Sequence, residues 1–269
     1  MNEKKKIACF FTGGYTELTS MKIFIRKINT NVELIQLCPA KKRASSSQIK
    51  NRHTESINKS HSGLTGNDLI DFIKNLIQKP VFQNEDYDAI LIEDDKDNRF
   101  MEILSDGTAN LNLSEWDSFK NLVIKQLHEI CPNIPIIFLF SAPEVEAWFL
   151  ADWDNSFAKI YKNDLKAGKN SHFEVVFRKY INDNILTKRY RDSIESYGYF
   201  ESKYKKLSEE IQNALKSAEL WESISQAETN IHYSKKKHGS TMLENINPEI
   251  VLQHCNHIFK EGFLLLKDL

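Results

Sequence analysis

The chain has 269 residues, 41% hydrophobic and 27% charged, a composition that excludes a disordered or membrane-embedded chain and suffices to bury a sizeable core. Lysine and arginine number 36 against 37 acids, so a net charge of -1 excludes a uniformly basic nucleic-acid coat but leaves room for local basic patches. Cys9, Cys38, Cys131 and Cys255 stand far apart with no Cys-x-x-Cys pair, which argues against a disulfide framework or zinc ribbon and for a reducing, cytoplasmic setting. The apolar run behind the basic start is too short for a signal peptide or a membrane span.

Ile7 to Phe11 reads as a buried strand that ends at the Gly13-Gly14 turn. A helix is predicted over Thr16 to Ile28, then a second strand over Val32 to Leu37, closed by Pro39. The polar stretch Lys41 to His53 follows. Leu69, Ile70, Phe72, Ile73, Leu76 and Ile77 have helical spacing behind a possible Asn67-Asp68 cap, and Pro80 ends that helix. Asp88 to Ile92 is a third strand, running into Glu93-Asp94-Asp95-Lys96-Asp97. A helix from Ser114 and a very apolar strand over Ile134 to Phe140 complete a β-α-β-α-β-α-β order. Nearly continuous apolar strands in that order predict an α/β fold with a mostly parallel sheet flanked by helices. From about residue 155 strand signals fade, so residues 1–154 form the α/β domain and 155–269 a mostly helical extension. There, Leu207 to Ile224 carry one apolar stripe, and Ile250, Val251, His254, Cys255, Ile258, Phe259 and Phe263 another.

In parallel sheets, sites form outside the carboxyl ends of the strands. Glu17 follows the first strand, Asp94, Asp95 and Asp97 the third, and Glu144 and Glu146 the fourth. All three groups therefore point to one rim, where carboxylate oxygens suit Mg²⁺ or Mn²⁺ and phosphodiester chemistry. A solvated acidic turn is the plainer alternative for the Glu93 to Asp97 run. Walker A, dinucleotide and Gly-x-Ser-x-Gly signatures are absent.

This arrangement resembles the Toprim fold, in which a glutamate follows strand one and an Asp-x-Asp pair follows strand three. Glu17 matches the first position. Asp95-Lys96-Asp97 matches the pair, with Glu93-Asp94-Asp95 as a shifted register and Asp94 as the alternate ligand. Glu144-Val145-Glu146-Ala147-Trp148-Phe149-Leu150-Ala151-Asp152, with Lys237-His238-Gly239-Ser240 and the final helix from Pro248, is similar to domain-of-unknown-function family 4276. That is a Toprim-like group often encoded beside AAA-type ATPases. Thr12 stands where many of its members carry an acid.

The resemblance implies a Mg²⁺- or Mn²⁺-dependent nuclease acting on DNA or RNA, the effector of an anti-phage system, with an AAA-type ATPase as partner. Glu17 would then be a ligand or general base, Asp95 and Asp97 ligands, and Glu144 and Glu146 a second carboxylate pair. Lys41, Lys42, Arg43, Lys50 and Arg52, and separately Lys235, Lys236 and Lys237, are candidate contacts to a nucleic-acid backbone. The apolar C-terminal stripe is a candidate dimer or ATPase-docking face. Two other functions fit the same residues: a binding or regulatory module with lapsed catalysis, and a metal-dependent nucleotide phosphohydrolase.

Overall fold

The structure, a computed structural model, describes residues 3–12, 15–39, 64–164, 170–183, 193–200, 203–221 and 233–269. The first elements are β1 (Lys5–Phe11), α1 (Tyr15–Ile28), β2 (Val32–Cys38), α2 (Gly66–Ile77), α3 (Pro80–Gln83) and β3 (Ala89–Asp95). A small hairpin of β4 (Met101–Ile103) and β5 (Ala109–Leu111) leads to α4 (Leu113–His128), β6 (Ile136–Ser141) and α5 (Glu146–Ala151). The chain continues through α6 (Phe157–Asp164), α7 (Asn170–Ile181), a hairpin of β7 (Tyr199–Phe200) and β8 (Lys203–Tyr204), and α8 (Leu207–Trp221). Last come α9 (Ser240–Asn245), α10 (Pro248–His254) and α11 (Ile258–Asp268).

Four strands form a sheet in the order β2-β1-β3-β6, every neighbouring pair parallel. Both faces are covered, which explains the unbroken apolar runs. On one face Ile7, Cys9, Leu91 and Leu139 meet α1, α5 and the C-terminal helices, with Phe24 stacked on Trp148 at 5.0 Å. On the other, Ala8, Phe10, Ile90, Ile92, Phe138 and Phe140 meet α2 and α4 around Trp116. The expected α/β class with a parallel sheet therefore holds, in a Rossmann-like arrangement.

Three expectations shift. Strand three is longer than Asp88 to Ile92: Glu93, Asp94 and Asp95 lie within β3, paired with Leu139, Phe140 and Ser141 of β6. Pro80 ends α2 and also opens α3, as its fixed φ and missing N–H allow at a first helical position. The stripe from Ile250 to Phe263 is two helices rather than one. Between them the buried Glu195 carboxylate accepts the N–H groups of His257 at 2.7 Å and Phe259 at 2.9 Å.

That stripe is used inside the chain. Val251, Cys255, Ile258, Phe259 and Phe263 are all buried, so they offer no docking face. α11 lies directly on β6, where a Cβ on Gly262 would stand 2.1 Å from the Phe138 carbonyl oxygen. One apolar core joins Phe24 and Leu139 to Leu207, Leu215 and Phe259, so the helical half packs on the sheet. Among the described residues no helix is long and apolar enough to cross a membrane, and all four cysteines are buried thiols.

Candidate functional site

Side chains alternate between faces along a strand, and β3 carries that alternation into its acidic end. Asp94 continues the face of Ile90 and Ile92. There its carboxylate takes the Arg99 guanidinium at 2.6 Å and the Gly66 N–H at 3.0 Å. Arg99 also lies over the Phe100 and Phe140 rings at 5.5 Å and donates to the carbonyl oxygens of Lys96 and Asp95. Glu93 and Asp95 continue the opposite face, that of Ala89 and Leu91. The buried Glu93 carboxylate accepts from the Thr12 N–H at 3.1 Å and the Thr12 hydroxyl at 3.4 Å. Thr12 thus serves Glu93 at the end of β1.

Beyond β3 the backbone stays tied to the turn after β6. The Lys96 N–H donates to the Ser141 carbonyl and the Asp97 N–H to the Pro143 carbonyl, both at 2.7 Å. Asp97 takes a left-handed φ of 52°, a conformation that Asp tolerates better than most residues. The Lys96 side chain is fully buried and donates to the Asp97 carbonyl at 3.0 Å and the Arg99 carbonyl at 3.2 Å. Burial, then the nearby Arg99 charge, lowers its pKa to about 7. Lys96 thus stitches the loop from below while Asp95 and Asp97 face outward.

Asp95, Asp97, Glu144 and Glu146 line one cavity of about 320 Å³. Its far wall comes from the helical half, with Lys206, Ser208 and Gln212 at the start of α8, and Tyr233 and Lys235. Asp95 accepts from the Ser141 hydroxyl and pairs with the Lys235 ammonium at 3.1 Å. Glu144 accepts the Ser208 N–H at 3.3 Å through Oε2, and Glu146 accepts the Tyr233 hydroxyl at 2.7 Å through Oε1. Glu144 Oε1 and Glu146 Oε2 are buried with no hydrogen-bond partner. An unsatisfied buried carboxylate oxygen is costly, and these two belong to residues that line the same cavity.

The acids respond as a crowded, desolvated set. Burial, followed by the Asp95 charge, raises Glu93 to about 8. Burial and then the Glu146 charge raise Glu144 to about 7. Burial raises Glu146 and Asp97 as well, with Lys235 opposing the shift in both.

Four of the expected acids therefore meet: Asp95, Asp97, Glu144 and Glu146. Asp94 does not, being turned to the other face. Glu17 stands in the first turn of α1, and its side chain lies outside the described residues, as do Lys41, Lys42, Arg43, Lys50 and Arg52. Of the Lys235 to Lys237 run, Lys235 reaches the cavity while Lys236 and Lys237 are exposed and line no part of it. Sequence reading missed Tyr233, Lys206 and Ser208, and it gave Glu93 only as part of a shifted register. The spacing Tyr233-x-Lys235, which sends both side chains to one side of an extended segment, was the available signal.

The all-oxygen donor set, with two unpaired carboxylate oxygens, suits a hard divalent ion. As they stand, no three His, Cys, Asp or Glu side chains among the described residues are gathered closely enough to hold one. Asp95 instead pairs with the Lys235 ammonium, while Ser208 and Tyr233 hold Glu144 and Glu146. Comparison with family models, curated proteins and solved structures gives no match. Fold and site together define an α/β protein with a Rossmann-like parallel sheet and a buried carboxylate pocket at its carboxyl rim.

Proposed function

We propose that the chain is a divalent-metal-dependent nuclease that cleaves phosphodiester bonds in DNA or RNA at this pocket. The observation that carries the reading is the convergence of Asp95, Asp97, Glu144 and Glu146 from two strand ends, with buried oxygens left unpaired. Such a set repels itself unless a cation joins it. When bound, Mg²⁺ or Mn²⁺ would supply Lewis-acid polarisation of a phosphoryl oxygen and lower the pKa of a water.

The protein's own part is to hold and aim. The Ser141 hydroxyl fixes Asp95, the Ser208 N–H fixes Glu144, and the Tyr233 hydroxyl fixes Glu146. Lys206, exposed at the lip, is placed to meet a phosphate. An AAA-type ATPase partner and a role in anti-phage defence follow only from the family resemblance. A second reading, a binding module with lapsed catalysis, draws on one observation: Lys235 sits on Asp95, and no ready three-ligand group accompanies it.

Plasmid DNA and total tRNA, incubated with Mg²⁺ or Mn²⁺ and wild type or Asp95→Asn, test the proposal. Metal-dependent cutting is expected, with a loss of at least roughly 100-fold in the variant. Equal cutting by both proteins would remove Asp95 from the site. Cleavage of free nucleotides but not polymers would turn the reading to a nucleotide phosphohydrolase. A silent wild type that still binds nucleic acid would favour the binding module.

A further inference from the structure

Residues 233–235 reach the acidic pocket from far along the chain. Tyr233 holds Glu146 through its hydroxyl, and Lys235 holds Asp95. The segment is anchored behind them. The Ser234 N–H donates to Nδ1 of the buried His238 at 3.2 Å, and the Ser234 hydroxyl accepts the Lys237 N–H at 3.4 Å. The Lys235 charge reaches beyond its contact partner and favours the ionised forms of Glu93, Asp97 and Glu146. Lys235 therefore touches Asp95 and acts on three further acids, with Lys206 a second ammonium at the lip, while Glu144 Oε1 and Glu146 Oε2, on residues lining the same cavity, keep no hydrogen-bond partner.

We propose that Lys235 is a tethered counter-ion that competes with a hard divalent cation for the Asp95 carboxylate. This inference rests on reading the pocket as a divalent-metal site. The ammonium offers one charge and three donors, whereas a divalent ion offers two charges and accepts several oxygens at once. The ion wins only at sufficient concentration, and the Lys235 side chain must then leave Asp95. Lysine suits such an exchange because its long flexible stem lets the head swing aside without moving the backbone. Lys235 thereby sets the cation concentration at which the pocket loads.

The test is Mn²⁺ binding by calorimetry to full-length wild type, Lys235→Met, Lys235→Arg and Asp95→Asn, with melting temperatures in EDTA and in Mn²⁺. Lys235→Met is expected to bind Mn²⁺ roughly tenfold more tightly, since a positive charge about 3 Å from a ligand oxygen is gone. In EDTA it should melt below wild type, and Mn²⁺ should raise its melting temperature by more. Lys235→Arg keeps the charge and should bind as wild type does. Should Lys235→Met fail to fold, Lys235→Gln takes its place. Equal or weaker binding by the charge-removed variant, with Asp95→Asn still defective, would overturn competition and leave the metal site standing. No Mn²⁺ binding by any protein would overturn the metal reading itself and the competition with it.

Discussion

Asp94 and Asp95 are neighbours in sequence, and the two faces of β3 treat them oppositely. On the α2/α4 face Asp94 meets a guanidinium and a backbone N–H, and Arg99 in turn lies on two aromatic rings. On the other face Asp95 pairs with Lys235, which also acts on three further acids, and Lys206 and Glu144 line the same cavity. The first face pairs its carboxylate with an arginine inside the fold, although Asp94 Oδ1 and Arg99 Nη1 keep no hydrogen-bond partner and burial raises Asp94 to about 6. The second gathers four acids around a cavity open to ligands, and that difference between a paired acid and a clustered one separates a structural acid from a functional one.

Breaking the Asp94–Arg99 pair should have the largest effect on stability. Arg99→Ala leaves Asp94 as an uncompensated buried charge, and an expected loss of about 3–5 kcal/mol is measurable by urea unfolding. Adding Asp94→Asn should restore much of it, because the stranded charge is then gone. A loss below about 1 kcal/mol would show that water reaches Asp94.

The clustered face should show itself through pH. Folded, Glu93 and Glu144 keep their protons up to about 8 and about 7, while the unfolded chain releases them near 4.5. Between those limits the folded state binds more protons, so this contribution is complete below 4.5 and is lost as pH rises through 7 to 8. Lys96 acts in the other direction above its folded value of about 7, where the unfolded chain is the more protonated. In EDTA, Glu144→Gln should match wild type near pH 4 and exceed its stability by a few kcal/mol near pH 8. An equal difference at both pH values would mean that Glu144 titrates as it does in water.

The smallest change sharpens the contrast most. Tyr233→Phe removes one hydroxyl and leaves both Glu146 oxygens without that donor, an expected cost of about 1 kcal/mol. Mn²⁺ should recover part of that loss if Glu146 is a ligand. A variant indifferent to Mn²⁺, set against a responsive wild type, would make Tyr233 the residue through which metal is sensed.

Much of this was legible in the sequence. The strand runs, their order and the convergence of Asp95, Asp97, Glu144 and Glu146 followed from apolar patterning and the carboxyl-end rule. The strand boundary did not, because Glu93, Asp94 and Asp95 have poor β-propensity and are held in register by Leu139, Phe140 and Ser141 of β6. That misplaced boundary hid the face assignment, and with it the different fates of Asp94 and Asp95. Lys96 reads as a solvated turn residue, yet nearby backbone carbonyls take its ammonium inside the protein. The break between α10 and α11 depends on Glu195, more than 50 residues earlier, and no local pattern encodes it. Tyr233 and Lys206 matter only because tertiary packing brings the helical half to the rim.

Gly262 has a consequence for how the molecule is made. α11 meets the backbone of β6 with no room for a methyl group, although more than 100 residues separate them along the chain. Contacts of that span close late in folding, since the intervening loop entropy must be overcome first. The sheet therefore lacks a supporting wall while the N-terminal half emerges, and the acids of the rim wait for partners not yet synthesised. A nascent chain carries the carboxylates before it carries Tyr233 and Lys235. The pocket is a product of finished synthesis, so a prematurely terminated chain has the acids without the assembled site.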